Sequence, residues 1–474
     1  MIGSSSALPR LLSALLLAAL AGCMPPRQPI PPEAAFTPPA DWREPGASTA
    51  ELSVTWWRAF GDPQLTALVE AALANNTDVL SAASRVEQAR EQIRLSRAAL
   101  LPAIDASLGA QRTRELSVLG IAHRTSAQPS LQVSYEVDVW GRLRRLREAA
   151  ELQYRATEAE RDTVRLAVAS TTARAYISLL SLDQQLTVTR ETVDSRQQAL
   201  RVAEDRSSLG YTSQLELTQA QSEYEAAAEL LPQLRQAIRE QENALRLLTG
   251  QLPGAVERGT GLLAIEPPAA PGALASALLR RRPDIQQSEL LLAASDLNLQ
   301  AQRDRFLPQV QLSASLGQLF VNSLDYDPVR VWSLGTSVLA PIFDAGRLEA
   351  GVNIAVAQRN QAAFGYRATA LQAFNEVENS LSAVGNLREQ LQRVAARRVI
   401  LERSLTYAED RYRAGYSSYL ETLDAQRNLF NTELAAVQLR ENQLNALISL
   451  YQVLGGGWNS DQAGDVLSGP DRSR

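Results

Sequence analysis

Residues 130–146 read SLQVSYEVDVWGRLRRL, and the change of period inside them decides the fold. Leu131, Val133, Tyr135, Val137 and Val139 fall on one side of an alternating pattern. Gln132, Ser134, Glu136 and Asp138 fall on the other. Period two with one apolar and one polar side predicts a β-strand. Past Gly141 the alternation stops. From Leu143 to Leu209 the chain has 67 residues with neither proline nor glycine, and apolar residues recur at helical spacing (Leu179, Leu182, Leu186, Val193, Leu200). At 1.5 Å per residue this is a helix about 100 Å long.

Three further segments carry the same alternation. In 103–112, Ile104, Ala106 and Leu108 oppose Asp105, Ser107 and Gly109. In the second half of the chain Val310, Leu312, Ala314 and Leu316 oppose Gln311, Ser313 and Ser315, and Trp332, Leu334, Thr336 and Val338 oppose Ser333, Gly335 and Ser337. Each segment is about ten residues, the length a tilted strand needs to cross a bilayer. Two soluble hairpins packed on helices share the pattern. Four spanning strands cannot stand alone, because two open edges leave N–H and C=O groups unpaired in hydrocarbon. A membrane reading therefore requires several chains sharing one barrel. Tyr135, Trp140 and Trp332 near strand ends fit an interfacial aromatic belt. The polar run 113–128 predicts an exposed loop, with His123 a solvated loop residue. The long helices are too polar to span a membrane and must pack side by side to bury their stripes. Such rods, joined to membrane strands, read as a tube crossing the periplasm.

The chain is also a duplication. Leu101-Pro102 returns as Leu307-Pro308, and Gly141-Arg142-Leu143 as Gly346-Arg347-Leu348. Arg206 and Gly210-Tyr211 return as Arg411 and Gly415-Tyr416, Leu215-Glu216 as Leu420-Glu421, and Ala220-Gln221 as Ala425-Gln426. Landmarks in one order at one offset define a repeated unit of about 205 residues. Each copy should open with a helix (63–100 in the first, begun at Pro63 and closed by Pro102), pass through two strands, then form a long helix and a second helix. Gly210 and Gly415 supply left-handed caps where the long helices end. The expected organisation is a first repeat at 51–250, a Pro/Gly-rich linker or collar at 251–280, a second repeat at 281–458 and a disordered tail at 459–474. Arg282-Pro283-Asp284 starts a helix with proline in its first turn.

Residues 1–22 have the form of a secretory signal, with Arg10 ahead of an apolar stretch too short to span a bilayer. The stretch ends in Leu20-Ala21-Gly22-Cys23, which resembles a bacterial lipobox; a chance cysteine after an ordinary cleavage site is the alternative. Residues 23–50 would then be a lipidated, proline-rich tether. A net charge of −5 gives no general pull towards nucleic acid. One cysteine, one histidine and no lysine exclude a Cys/His metal cage and a lysine-bearing phosphate loop. No convergent catalytic set is legible, so an enzyme is not expected, and acids such as Glu376 and Glu378 read as solvated helix faces.

Three motifs then carry a resemblance: Trp56-Trp57-Arg58-Ala59-Phe60-Gly61-Asp62-Pro63-Gln64-Leu65, Arg281-Arg282-Pro283-Asp284-Ile285, and Arg411-Tyr412-Arg413-Ala414-Gly415 followed by Leu420 and Asp424-Ala425-Gln426. The chain resembles the outer membrane factor family, TolC-like channels, in particular their OprM/NodT-type lipoprotein group. The resemblance implies an α+β membrane protein of a Gram-negative outer membrane: a homotrimer whose four strands per chain form a 12-stranded β-barrel and whose long helices form a periplasmic α-barrel. It implies a passive exit duct for drugs or other small toxic compounds, served by a periplasmic adaptor and an inner-membrane resistance–nodulation–division (RND) transporter. No metal and no cofactor is implied beyond the lipid on Cys23. The family's adaptor-docking tips map onto Gly210 and Gly415. Its gate maps onto an apolar ring of Leu420 and an acidic ring of Asp424, with Glu421 adding acidity and Arg427 available to Asp424 as a salt bridge. Tyr412 and Glu216 fall where relatives hold the closed tip by hydrogen bonds. Type I protein secretion and heavy-metal efflux use the same duct and stay open as alternatives, as does a pore-less structural lipoprotein.

Overall fold

The computed structural model describes residues 28–39, 41–43, 52–117, 120–271, 279–321 and 328–456. The signal segment, Cys23 and the tail at 459–474 lie outside the described residues. Two compact units divide the chain: Met1–Phe36 with Arg85–Glu158 and Gln287–Ala368, and Thr37–Ser84 with Ala159–Gln286 and Thr369–Arg474.

The helices are α1 (Pro63–Asn75), α2 (Thr77–Ala98), α3 (Arg142–Ser208), α4 (Gln214–Ala228), α5 (Leu230–Leu248), α6 (Pro283–Arg303), α7 (Arg347–Arg413) and α8 (Tyr419–Val453). α3 and α7 each have 67 residues, as the repeat requires. None of the described helices is long and apolar enough to cross a membrane. The helix expected over 63–100 is two helices. Asn76 breaks it: its Oδ1 accepts the N–H of Asp78 at 2.9 Å, starting α2, while its Nδ2 donates to the Leu248 carbonyl at 3.0 Å. A side-chain oxygen that caps a new helix is the physical reason the run divides.

The first unit holds a four-stranded antiparallel sheet in the order β1 (Ala103–Ser117), β2 (Gly120–Val137), β3 (Gln309–Val321), β4 (Val329–Leu339). The run 113–128 is therefore not a loop. β1 and β2 continue as a ladder up to Ser117↔Gly120, and His123 is an exposed strand residue opposite Arg114. Backbone ladder bonds sustain this extension where side-chain alternation fades. Directly paired residues share a face. One face carries Ile104, Leu108, Leu131, Leu316 and Leu334; the other carries Ser107, Ser130, Gln132, Ser315 and Ser333. Ser107 and Ser130 meet at 2.9 Å between Oγ atoms, and Ser315 and Ser333 at 2.8 Å. The apolar face is bare, with Leu108 74% and Leu334 79% exposed. Pro129 interrupts the centre of the sheet, and the β2–β3 register passes from Ala127↔Phe320 to Ser130↔Gly317 across it. Gly317 passes so close that a Cβ there would lie 2.6 Å from the Pro129 carbonyl oxygen.

Strand meets helix in the same way in both copies. Asp138 accepts the N–H groups of Leu143 and Arg144, each at 3.0 Å. Its counterpart Asp344 accepts those of Gly346 at 3.2 Å and Leu348 at 2.9 Å. Trp140 lies just past β2 and donates its Nε1–H to the Pro308 carbonyl at 2.7 Å. Leu299, Val352, Ala355 and Val356 form a small core between α6 and α7. The described part of the expected tether is docked rather than free. Arg359 donates to the carbonyls of Gln28 at 2.8 Å and Pro29 at 2.9 Å, and Phe36 packs on Tyr366.

In the second unit Trp56 stacks on Tyr451 with centroids 5.5 Å apart, and Phe60 packs beside them. Asp62 is fully buried and caps α1 through the N–H groups of Gln64 and Leu65. Its other oxygen takes the Tyr176 hydroxyl at 3.2 Å and the Thr260 hydroxyl at 2.8 Å, which pins the 251–271 segment. Arg282 pairs with Asp284 at 2.6 Å and with Glu376 at 2.7 Å, and the Arg43 N–H donates to Glu378 at 3.1 Å. Glu376 and Glu378 are thus anchoring acceptors, not merely solvated faces.

Candidate channel gate

The expected gate residues all lie in the second unit, where α3 turns into α4 and α7 turns into α8. Both turns are built alike. Gly210 has φ +78° and Gly415 φ +80°. Tyr211 N–H bonds the Arg206 carbonyl and Gly210 N–H that of Ser207; Tyr416 and Gly415 repeat this on Arg411 and Tyr412. These paired bonds form a Schellman cap, which needs the left-handed residue that glycine supplies without strain. Tyr211 and Tyr416 just beyond are each 81% exposed.

Behind the tips, one hydrophobic cluster joins the two hairpins: Ala203, Ala220, Tyr419 and Leu423, with Leu200, Leu217 and Tyr412 packed against it. Tyr412 donates its hydroxyl to Glu216, its ring lies 5.4 Å from that of Tyr419, and the Arg206 guanidinium sits 4.8 Å over it. Burial, reinforced by the Glu216 carboxylate, pushes the Tyr412 phenol up, and burial pushes that of Tyr419 up to about 12. Both phenols are therefore neutral over the physiological range.

Arg427 departs from expectation. It does not turn to Asp424 but to Glu223, with Nε 2.9 Å from Oε1. Asp424 instead accepts from Asn428 at 3.1 Å. The reason is charge and burial. Glu223 is 9% exposed and needs cations, whereas the Asp424 carboxylate is open to water. Arg196, itself buried, completes the node at 3.1 Å from Glu223 and donates to the Glu223 carbonyl at 2.7 Å. Glu421 pairs with Arg411 at 3.7 Å, and Leu420 is 55% exposed. So Tyr412 and Glu216 are brought together, Leu420, Glu421 and Asp424 point to open surface, and Arg427 belongs to a node centred on a residue that sequence reading passed over. One signal for Glu223 was available. It lies seven residues after Glu216, on the same face of one helix.

A four-stranded sheet with two open edges, joined to duplicated 67-residue helices that turn at matched hairpins, defines a TolC-like outer membrane channel. The comparisons agree. The chain matches the family described as outer membrane efflux protein over residues 68–251 and 274–456. It is 34% identical over 466 residues to the pyoverdine export outer membrane protein OpmQ of Pseudomonas aeruginosa, covering 96% of this chain and 98% of that one. It is 34% identical over 425 residues to the toluene efflux pump outer membrane protein TtgC of Pseudomonas putida, covering 87% of each. Among solved structures, the Campylobacter jejuni CmeC outer membrane channel superposes with a TM-score of 0.84 at 24% identity, over 94% of this chain and 97% of that one. The chain belongs to the outer membrane efflux protein family. It is an efflux channel of the Gram-negative outer membrane.

Proposed function

We propose that three copies of this chain close their sheets into one 12-stranded barrel and their helices into a tube, forming the passive exit duct of a tripartite pump. The observation that carries this is the sheet itself, whose β1 and β4 edges have no partner among the described residues and cannot stay open in hydrocarbon. An inner-membrane RND transporter supplies the energy, and a periplasmic adaptor docks at the turns around Gly210 and Gly415. The cargo is small-molecule, in keeping with relatives named for pyoverdine export and toluene efflux. Lipid on Cys23 adds an anchor to the barrel.

In this reading Leu420 forms an apolar ring and Asp424 and Glu421 an acidic one, which repels anions where the tube is narrow. The closed state is held by Tyr412 on Glu216 and by Arg427 on Glu223. An adaptor that binds the open arrangement more tightly shifts the population towards it. Deleting the gene should sensitise cells to several unrelated organic compounds, and complementation should restore resistance. Sensitivity confined to divalent metals would point to metal efflux, and loss of a secreted protein to type I secretion. For the gate, Asp424→Ala with Arg427→Ala should raise single-channel conductance in planar bilayers. Unchanged conductance from a well-folded trimer would remove these two residues from the gate.

A further inference from the structure

The sheet's apolar face has an uneven distribution of charge. The register places Ile104, Ala106, Leu108 and Ala110 of β1, Ala127 to Val137 of β2, Val310 to Leu316 of β3 and Trp332 to Val338 of β4 on that face, each by alternate residues. Continuing outward from the helices, the same face carries Arg112 and Arg114 on β1 and His123 and Thr125 on β2, whereas Arg330 of β4 and its partner Gln318 fall in register with Pro129 and Leu108, within the apolar stretch. No acidic residue falls on this face in any described strand position; Asp105 and Glu136 are on the other. Arg112 and Arg114 are exposed, and neither makes an ion pair with a described residue. Leu116 and Ile121, beyond them, close the hairpin.

The height of the apolar zone fixes where these cations sit. From Val137 to Ala127 is ten residues, about 33 Å along a strand, or about 25 Å of height at a barrel strand's tilt. That equals the apolar band of an outer membrane barrel. Arg112 and Arg114, two and four residues past Ala110, therefore leave the hydrocarbon on the side away from the helices, at the headgroup level of the outer leaflet. A guanidinium there is oriented towards lipid and matches phosphate in geometry and charge.

We propose that Arg112 and Arg114, repeated around the barrel, form a binding band for the phosphate groups of outer-leaflet lipid headgroups. The inference rests on the sheet being the membrane-spanning part, and its partner is a phosphorylated glycolipid rather than free phosphate. A cationic fringe on one side only also sets the depth of the barrel, because the opposite end of the face has no charge to hold it.

The test uses the full-length trimer in neutral detergent, titrated with diphosphorylated lipid A, with dephosphorylated lipid A and with inorganic phosphate, and read by its melting temperature. Diphosphorylated lipid A should raise the melting temperature of the unaltered protein. The double variant Arg112→Gln/Arg114→Gln should bind it about 25-fold more weakly, since each cation near an anionic leaflet contributes roughly a factor of five. Arg112→Lys/Arg114→Lys should retain most of the binding, which guards against a variant that fails to fold. Arg124→Gln, on the other face, should change nothing. Equal binding by the glutamine variant, equal binding of the dephosphorylated lipid, or a matching response to inorganic phosphate would each overturn the proposal. Conductance in planar bilayers is recorded alongside: a glutamine variant that conducts normally and still binds refutes the lipid band alone, whereas loss of channel formation by the unaltered protein refutes the barrel.

Discussion

The two helical hairpins descend from one unit, yet they do different work. Glu216 and Glu421 are repeat equivalents. Glu216 accepts from Tyr412 on the opposite hairpin, whereas Glu421 stays with Arg411 on its own. Glu223 is a buried acceptor for Arg196 and Arg427, and its equivalent, Asn428, donates to a neighbouring exposed Asp424. Across the pair, the first hairpin thus supplies the acceptors Glu216 and Glu223 and the second supplies Tyr412 and Arg427, while Arg196 supports Glu223 from within the first. The return helices differ as well. α8 runs unbroken for 35 residues, while α4 and α5 divide at Glu229. Pro232 explains the division, because it offers no N–H to Ala228 and its ring crowds that carbonyl. Duplication fixed the frame and the caps, and a few substitutions turned one hairpin into a clamp for the other.

The sharpest way to break this asymmetry is Glu223→Gln. It leaves buried Arg196 facing a neutral group and should destabilise the second unit by about 3 kcal/mol, seen as a lower melting temperature of the purified channel. Conductance should rise with it. Tyr412→Phe keeps the ring contacts and removes the bond to Glu216; about 1–2 kcal/mol is expected, with a smaller rise in conductance. The same bond predicts a pH dependence. The folded Tyr412 phenol titrates above the ordinary value of 10.0, so its contribution is complete below pH 10 and fades as pH climbs past it. A melting curve series from pH 8 to 11.5 should lose its alkaline decline in part in Tyr412→Phe. Pro232→Ala should make the hairpins more alike by joining α4 to α5, slowing amide exchange around residues 229–231 by about 1 kcal/mol of opening free energy. Arg411→Gln should change stability by no more than about 0.5 kcal/mol, because the pair with Glu421 is exposed.

Much of the architecture was legible because it rests on period. Alternation marked the strands, and the absence of proline and glycine from 143–209 marked α3 almost to the residue. The failures are places where backbone or tertiary partners overrule local pattern. Arg112, Thr113, Arg114 and Glu115 alternate in no apolar sense, yet ladder bonds carry the strand through them. Asn76 could have been read as a cap, since Asp78 follows it in the first turn of α2, but the apolar period continues across the break. Among the expected gate residues, Tyr412 and Glu216 came from resemblance. Arg427 was assigned to Asp424 because three residues separate them in sequence. Nothing local reveals which helix lies alongside, and Glu223 on that helix is the stronger acceptor.

The seam between the two repeats carries a last consequence. β2 belongs to the first copy and β3 to the second, and Pro129 meets Gly317 where they join. Sliding one hairpin past the other by two residues would bring Ser315 or Leu319 under the Pro129 carbonyl, where any Cβ collides with backbone. A slip of one residue would turn serines towards lipid. The proline and glycine therefore act as a key and its slot, allowing the two hairpins to zip in one alignment only. If separate chains close the proposed barrel, it has many ways to misalign, and this seam is the one that each chain can check before it meets another.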